Sequence, residues 1–556
     1  MTRANNKRLF IAGAVIGLIF LGGLSPTLNL VSATPEYTIM QIQGDSWESP
    51  YKGMNVWTTG VVTADYQQES QRGYFIQDPT GDSNPDTSDG IFVYERTHLV
   101  DVGDFVRVRG WINEYYNLTE ISESETVILS SGNPIPEPII LDPPSDDDDS
   151  NVYYEKLEGM LVSIPDMRVI DASNQYDETA GCRIYHNIDQ VFEDDEEKGM
   201  IIVVDDAGGF DLIARPGNLV YGLTGPLDYT FSDYKVIPPR DSKPKIIPKQ
   251  SSSGIGIGQG RAEVKGLSIV TYNMYNFFSY YDNFETQKAK HAQAIHRYFR
   301  EPDILVLEEV HNYEVLEQLV ATPPITTNYG IVHVDGPDER GIDVAVLYNT
   351  EKIHMIDFAV RQTCTDLMDG YGPGFDPDFP CDPGFNPLFS RPPLVVHFEV
   401  LGKKGASTEL WVIANHFKSK SVYEPYFADT LPRRIEQAEW VSSLVDEIQE
   451  DDPDAKVIVA GDLNDFEYSD PIEVLEAGGL RALIWDVEKE NRYTYNYLGY
   501  SQVLDHILIT PSLEKAYSEV FIVHFNLDFP FPLYRDDTSL GLCSSDHDAI
   551  VAGFRI

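Results

Sequence analysis

Positive charge is scarce in this chain. Its 556 residues carry 41 lysines and arginines against 89 aspartates and glutamates, a formal net charge of −48. Such an acid surplus favours solubility and repels polyphosphate, so charge alone argues against a nucleic-acid ligand. A bound divalent cation reverses this locally, because the ion becomes the largest charge in its site. Cysteine is scarce too, at Cys182, Cys364, Cys381 and Cys543. Without close Cys or His spacing, a zinc site is disfavoured. Three pairings are open to four cysteines. Cys364 with Cys381 is the pair we expect, because it staples a Gly/Pro/Asp-rich excursion at low loop-closure cost.

Long apolar runs are confined to the N-terminus, where Arg3, Lys7 and Arg8 precede the apolar core Leu9–Leu24 and Val31-Ser32-Ala33 stands at a cleavage spacing. This pattern reads as a secretory signal peptide over residues 1–33, with an uncleaved membrane anchor as the alternative. It predicts a body that is secreted or held at the extracellular surface of a bacterial cell, without stable membrane association after cleavage.

What is present is enough for several packed cores, since 42% of residues are hydrophobic and 12% aromatic. The length suggests roughly three or four domains. Two breaks divide the chain, the acidic run Leu141–Ser150 and the Ser/Gly/Lys-rich stretch Asp241–Gly266. They predict modules at 35–140 and 151–240, a linker at 241–265 and a larger domain at 266–556. The two small segments repeat one another weakly: "YKGMNVWTTGVVTA" parallels "LEGMLVSIPDMRVID", and "VGDFVRVRGWINEYYNLTEI" parallels "PGNLVYGLTGPLDYTFSDYKV". Strands bounded by turn signals, with no helical period of useful length, predict a small closed β-barrel in each. Tyr74, Phe75, Phe92 and Tyr94 are candidates for base stacking but read better as core. Gly81–Gly90 has the oxygen density of a calcium loop but reads better as a wide hairpin turn.

The large segment alternates strands with helices and predicts an α/β domain. Its strands break off on polar residues. "LSIVTYN" ends at Asn273, "DILVLEEV" reaches Glu308 and Glu309, "LWVIANH" ends at His416, and "KVIVAGD" ends at Asp462, with Asn464 and Asp465 following. Functional groups of α/β sheets collect beyond strand carboxyl ends, so these four can converge. Asp505-His506 and Asp546-His547 precede two further strands and reach the same rim if those strands run the opposite way.

In order, "TYNMYNFF", "LVLEEV", "RGIDVAVLY", "FSRPPLVV", "ANHFKSK", "AGDLNDF", "LDHIL" and "SSDHDAI" resemble the motifs of the endonuclease/exonuclease/phosphatase superfamily that includes deoxyribonuclease I. The segments ahead resemble the oligonucleotide/oligosaccharide-binding-fold modules of secreted bacterial nucleases. The resemblance implies a two-sheet α/β sandwich behind two all-β barrels. It implies that Asn273, Glu309 and Asp546 hold a hard divalent cation, Mg²⁺ first and Mn²⁺ or Ca²⁺ as alternatives. Asp462 would activate water, Asn464 would hold water or a phosphate oxygen, and His547, oriented by Asp505, would donate to the scissile phosphate. His416 would be a second phosphate-contacting histidine, with Asp343 as its expected partner and Glu339 behind it. Arg391 and Lys418 would bind phosphate, with Lys420 beside them.

These readings favour a monomeric, secreted, metal-dependent nuclease, with DNA preferred over RNA and no protein partner implied. Sphingomyelinases and inositol-phosphate phosphatases share the motifs, so a phosphodiesterase or phosphatase acting on lipid headgroups or small phosphates is the enzymatic alternative. A non-catalytic surface binding protein is the third reading.

Overall fold

The computed structural model describes residues 34–97, 99–248, 264–370, 381–382, 384–402, 406–421 and 429–556. The expected signal peptide lies outside them, as do residues 249–263 of the expected linker.

Two six-stranded sheets build the C-terminal region. The first runs Tyr329–His333, Asp343–Asn349, Ile304–Val310, Leu267–Phe277, Ala549–Phe554, Tyr517–Val523 in spatial order. The second runs Ile353–Val360, Leu394–Leu401, Ser407–His416, Val457–Asp462, Asp505–Ile509, Arg481–Ala482. Side chains alternate across a strand, so each sheet has two faces to bury. Ile269, Ile304 and Val306 point at the second sheet and meet Val396, Phe398, Val412 and Ile458 there. Val270, Tyr272, Leu305 and Leu307 point the other way, onto the helices Phe284–Arg297 and Tyr313–Val320. The helix Leu431–Asp451 covers the outside of the second sheet with Ala438, Val441, Leu444 and Val445.

Ahead of this sandwich, Asn55–Asp65, Gly73–Gln77, Gly90–Tyr94, Phe105–Tyr115 and Leu118–Ser130 close into a barrel. The sequence repeat has a structural counterpart. Asn55–Asp65 pairs antiparallel with Phe105–Tyr115, and the corresponding Leu161–Asp171 pairs antiparallel with Leu219–Thr230. Each ring also contains one parallel pair, Gly90–Tyr94 with Leu118–Ser130 and Ile202–Val204 with Asp233–Val236.

Two expectations for this region need correction. The acidic run at Leu141–Ser150 is not an extended break: Asp147–Glu155 is a helix, capped by the Asp146 side chain, with Asp147, Asp148 and Asp149 in its first turn. Carboxylates there meet the unpaired N–H groups and the positive end of the helix dipole. Ile139–Ile140 and Lys245–Ile247, placed outside the second module, pair with its strands. Of the four aromatics expected more as core than as stacking residues, Tyr74, Phe75 and Phe92 are core, at 0%, 0% and 3% exposure, while Tyr94 is exposed. Phe75 and Phe92 pack with Ile237 of the second barrel, which glues the two barrels together. The Gly81–Gly90 stretch is a connection braced by Asp78, Asp82 and Asn84 accepting from nearby backbone N–H groups. The expected Cys364–Cys381 disulfide forms, and Cys182 and Cys543 are buried and free.

Gly461 explains why a buried strand can end on Asp462. It sits at φ +143°, opposite Asn415 in the neighbouring strand, and a Cβ there would lie 1.9 Å from the Asn415 carbonyl oxygen. Glycine is the residue that lets these strands close up beside the site. Gly461→Ala is expected to destabilise the protein by about 2–4 kcal/mol in urea titrations and to depress activity with it.

Candidate functional site

Register brings the polar strand ends together. On the second sheet, Asp462 lies between His416, its partner in a parallel pair, and Asp505, its partner in an antiparallel pair. On the first, Asn273 is level with Glu308, and the strand Ala549–Phe554 runs antiparallel to Leu267–Phe277, which delivers the preceding Asp546-His547 to the same end. The opposite strand direction proposed for the two Asp-His pairs is therefore realised.

The two sheets are joined across this end by side chains. Asn273 Nδ2 donates to Asp462 Oδ2 at 3.0 Å, and His547 Nδ1 lies 2.8 Å from Asp505 Oδ2. Asp462, Asp505 and His547 each offer an oxygen or nitrogen atom within 4.8 Å of the others, and all three are buried. The Asn464 backbone N–H donates to Asp462 Oδ1 at 2.9 Å, so the chain reverses at φ +52° around the carboxylate it serves. The loop carrying His547 is clamped in turn: Ser545 Oγ donates to the Asn273 carbonyl at 2.7 Å and accepts from the His547 N–H at 3.1 Å, and the Asn526 amide donates to the His547 carbonyl.

Burial and charge divide the labour. Burial pushes the Asp462 carboxyl up to about 7, with His547 opposing and Asp505 reinforcing the rise. Burial also disfavours a charged His547, but Asp505, Asp462 and Asp546 together override it and hold that imidazole protonated, well above its ordinary range. His416 behaves oppositely. Burial, then Arg391, Arg340, His547 and Lys418, keep it neutral. A carboxyl and a protonated imidazole thus lie within 4.8 Å of one another, with a neutral imidazole alongside.

The neighbouring glutamates resolve by register. Glu308 shares the inward face of Ile304 and Val306; it is fully buried, accepts from Thr271 Oγ1 at 3.0 Å, and is pushed well up by burial and then by Asp505 and Asp462. Glu309 would point at the helices by alternation, but the strand is irregular there and Glu309 adopts φ +60°. Its carboxylate accepts from the Asn276 N–H at 2.7 Å and interacts with Asp546, whose carboxyl is raised to about 6 by burial first, against His547, and with Glu309 adding to the rise. Glu309 and Asp546 are thus two neighbouring hard oxygen donors, beside Asn273 on the adjoining strand. That donor chemistry fits a hard divalent cation rather than a soft one.

Four expectations change on contact with the structure. Asp343 is not the partner of His416: it accepts from His333 and from the Gly336 N–H at 2.8 Å, Glu339 is exposed, and His416 Nδ1 is buried without a hydrogen-bond partner among the described residues. Arg391 does not present a fork to solvent, because its terminal nitrogens bind Asp338 at 2.9 Å and the Phe417 carbonyl at 2.6 Å. Lys420 is paired with Asp465, which also accepts from Arg434 Nε at 2.7 Å, so Asp465 and Lys420 are structural. The Asn464 side-chain amide donates to the Phe417 carbonyl at 3.1 Å, which fixes its orientation. Lys418 keeps its place near the site, where burial, then Arg391 and Arg340, lower its ammonium to about 8. Sequence reasoning missed Arg340, whose side chain is 54% exposed and which acts on both His416 and Lys418. It opens the motif "RGIDVAVLY", which is the signal that would have found it.

Residues 270–547 match the Endonuclease/Exonuclease/phosphatase family. The chain belongs to that family. Its two-sheet sandwich is the deoxyribonuclease I-like fold, and family members are typically hydrolases of phosphoesters that commonly use divalent metal ions. Residues 141–248 match a separate domain of unknown function, DUF8508. Among solved structures, D. rerio TDP2 humanized by 14 mutations is 15% identical, with 52% of this chain and 99% of that one aligned at a TM-score of 0.36. The human Nocturnin catalytic domain is 16% identical over 52% and 94% at 0.36, and a Bacteroides thetaiotaomicron mannosyl-6-phosphatase 14% identical over 52% and 99% at 0.35. No curated protein matches the chain.

Two outcomes test the site. Asp462→Asn and His547→Ala are expected to lower kcat on any phosphoester substrate by roughly 10²–10⁴-fold, with circular dichroism unchanged. Glu309→Gln is expected to raise the Mg²⁺ concentration giving half-maximal activity by about tenfold or more, read from a metal titration of the apoprotein.

Proposed function

We propose that this chain is a secreted, metal-dependent nuclease that hydrolyses phosphodiester bonds of DNA, with RNA as the alternative polymer. The observation that carries the reading is the placement of Asp462 and His547 on opposite sheets, within 4.8 Å, each with its own supporting hydrogen bonds. Asp462 takes a proton from the attacking water while Asn273 and the Asn464 N–H hold it in line. His547, kept as imidazolium by Asp505, donates to the phosphate oxygen opposite. Neutral His416 offers a further contact to a phosphate oxygen. When bound by Asn273, Glu309 and Asp546, a divalent cation polarises the phosphoryl group and offsets its charge. The signal-like N-terminus supports export, and the two β-barrels support an oligonucleotide/oligosaccharide-binding role for the region ahead.

One observation favours a second reading. With Arg391 and Lys420 engaged internally and a net charge of −48, few cations are left to neutralise a polymer backbone, which suits a small phosphate or a lipid headgroup. Supercoiled plasmid, linear DNA, sphingomyelin and a small phosphomonoester, each with Mg²⁺ and then with chelator, separate the two. We expect chelator-sensitive nicking of plasmid DNA, with product lengths reporting endo or exo cutting. Turnover confined to the lipid or the monoester overturns the nuclease reading.

A further inference from the structure

The barrel of residues 141–248 meets the C-terminal region at a hairpin. Tyr500–Gln502 of that hairpin adds in parallel to Val191–Phe192 of the barrel. Its tip packs Leu498 and Tyr500 against the barrel's apolar cluster of Ile170, Cys182 and Ile201. Beside this junction lies a cavity of about 230 Å³, walled by Phe192 from the barrel and by Phe466, Tyr468 and Trp485 from the C-terminal region. Gln502 and Glu193, also in its wall, join the two parts by a 2.7 Å hydrogen bond from Gln502 Nε2 to Glu193 Oε2. Tyr468 and Trp485 remain 42% and 44% exposed, and the Tyr468 ring centroid is 5.7 Å from that of Phe466. Large aromatic faces are thus left open in a concave place between two parts of the chain, where ligands are commonly bound.

The cavity adjoins the site along two strands. Phe466 stands four residues beyond Asp462, and Val503, another residue of the lining, stands two before Asp505; the two aspartates are partners in the antiparallel pair. Four residues reach at most about 14 Å, which is no more than about four nucleotides of a stacked strand. Cations of the lining are already engaged. Lys489 Nζ lies 3.0 Å from Asp195 Oδ1 and 5.0 Å from the centroid of Phe192. Arg492 donates to the Val487 carbonyl from Nε at 3.1 Å and Nη2 at 2.8 Å, and its guanidinium lies over the Trp485 ring at 5.0 Å. Glu193, Asp194 and Glu467 add carboxylates to the same wall. Such a lining disfavours a phosphate and favours a flat, uncharged ring.

We propose that this cavity receives an unpaired nucleobase of the substrate strand near the scissile phosphate, and that Glu467 selects a base carrying an amino group on its pairing edge. This rests on the nuclease reading and names its substrate class, a single-stranded nucleic acid. Aromatic faces stack on any base and draw on no positive charge, which is the affinity still open to a protein this acidic. A carboxylate only accepts hydrogen bonds, so it suits the amino groups of cytosine, adenine and guanine and meets carbonyl oxygens on thymine and uracil. A base inside a duplex has its faces and its pairing edge occupied, so the cavity reads unpaired strands.

The test uses the full chain carrying Asp462→Asn to suppress turnover, with fluorescence anisotropy in Mg²⁺ at fixed salt. The probes are labelled oligodeoxycytidylate, oligothymidylate and an abasic oligonucleotide of equal length, and a duplex. Adding Tyr468→Ala or Trp485→Ala is expected to weaken oligodeoxycytidylate binding by roughly 5- to 50-fold and leave the abasic probe unchanged, while Tyr468→Phe binds normally. Glu467→Gln is expected to erase the preference for oligodeoxycytidylate over oligothymidylate. Equal loss on the base-bearing and abasic probes, no loss on either, a parent chain that binds the two pyrimidine probes alike, or duplex binding as tight as single-strand binding overturns the proposal. Base-dependent binding by a chain whose wild type cleaves no nucleic acid supports the cavity's role and sinks the nuclease reading; cleavage with no base dependence does the reverse.

Discussion

The hydrogen bond between Asp505 and His547 organises the site, because it joins the two sheets and sets the charge of the group most exposed to the reaction. Asp505 begins a strand of one sheet, and His547 precedes a strand of the other. Both are buried, and an isolated charge there would be costly. Paired at 2.8 Å, Asp505 holds His547 protonated against the cost of its burial. Asp462 then sits beside an imidazolium, and the Asn273 and Asn464 donors are needed to fix its direction. Removing one partner would leave the others buried without compensation, so the constellation holds as a unit.

Charge distribution obeys the same constraint. Positive groups near the site are mostly committed to structure: Arg391 to Asp338, Arg434 and Lys420 to Asp465. Behind burial, Arg391 acts at a distance, helping to keep His416 neutral and, with Arg434, to lower Lys418, rather than as a surface for a polyanion. Affinity must then come from a cation, from the exposed Arg340 and from shape. The barrel ahead is part of that shape, since its hairpin contact adjoins the strand segment that pairs with His547.

Much of this was legible in the sequence, at particular kinds of position. Strand ends on Asn273, His416 and Asp462 are visible because a short β-branched run that stops on a polar residue carries its own direction. The repeat of Asn55–Asp65 in Leu161–Asp171 is visible because barrel strands keep their Gly-Met lead and length. The acidic run misled because a charge cluster reads as solvated linker until its place at a helix start is known, and that place depends on whether the residues after it continue as a helix.

What the chain determined alone was local: which segments are strands, which residues end them, and that four or more chemically apt side chains arrive at such ends. Partner choice was decided only by the fold. Arg391 with Asp338, Asp343 with His333, and His547 with Asp505 are pairs of residues that lie far apart in sequence or on different elements. Spacing fixes the face a side chain points from, whereas the identity of what it meets depends on sheet order and on a backbone that leaves its regular path, as at Glu309 and Gly461.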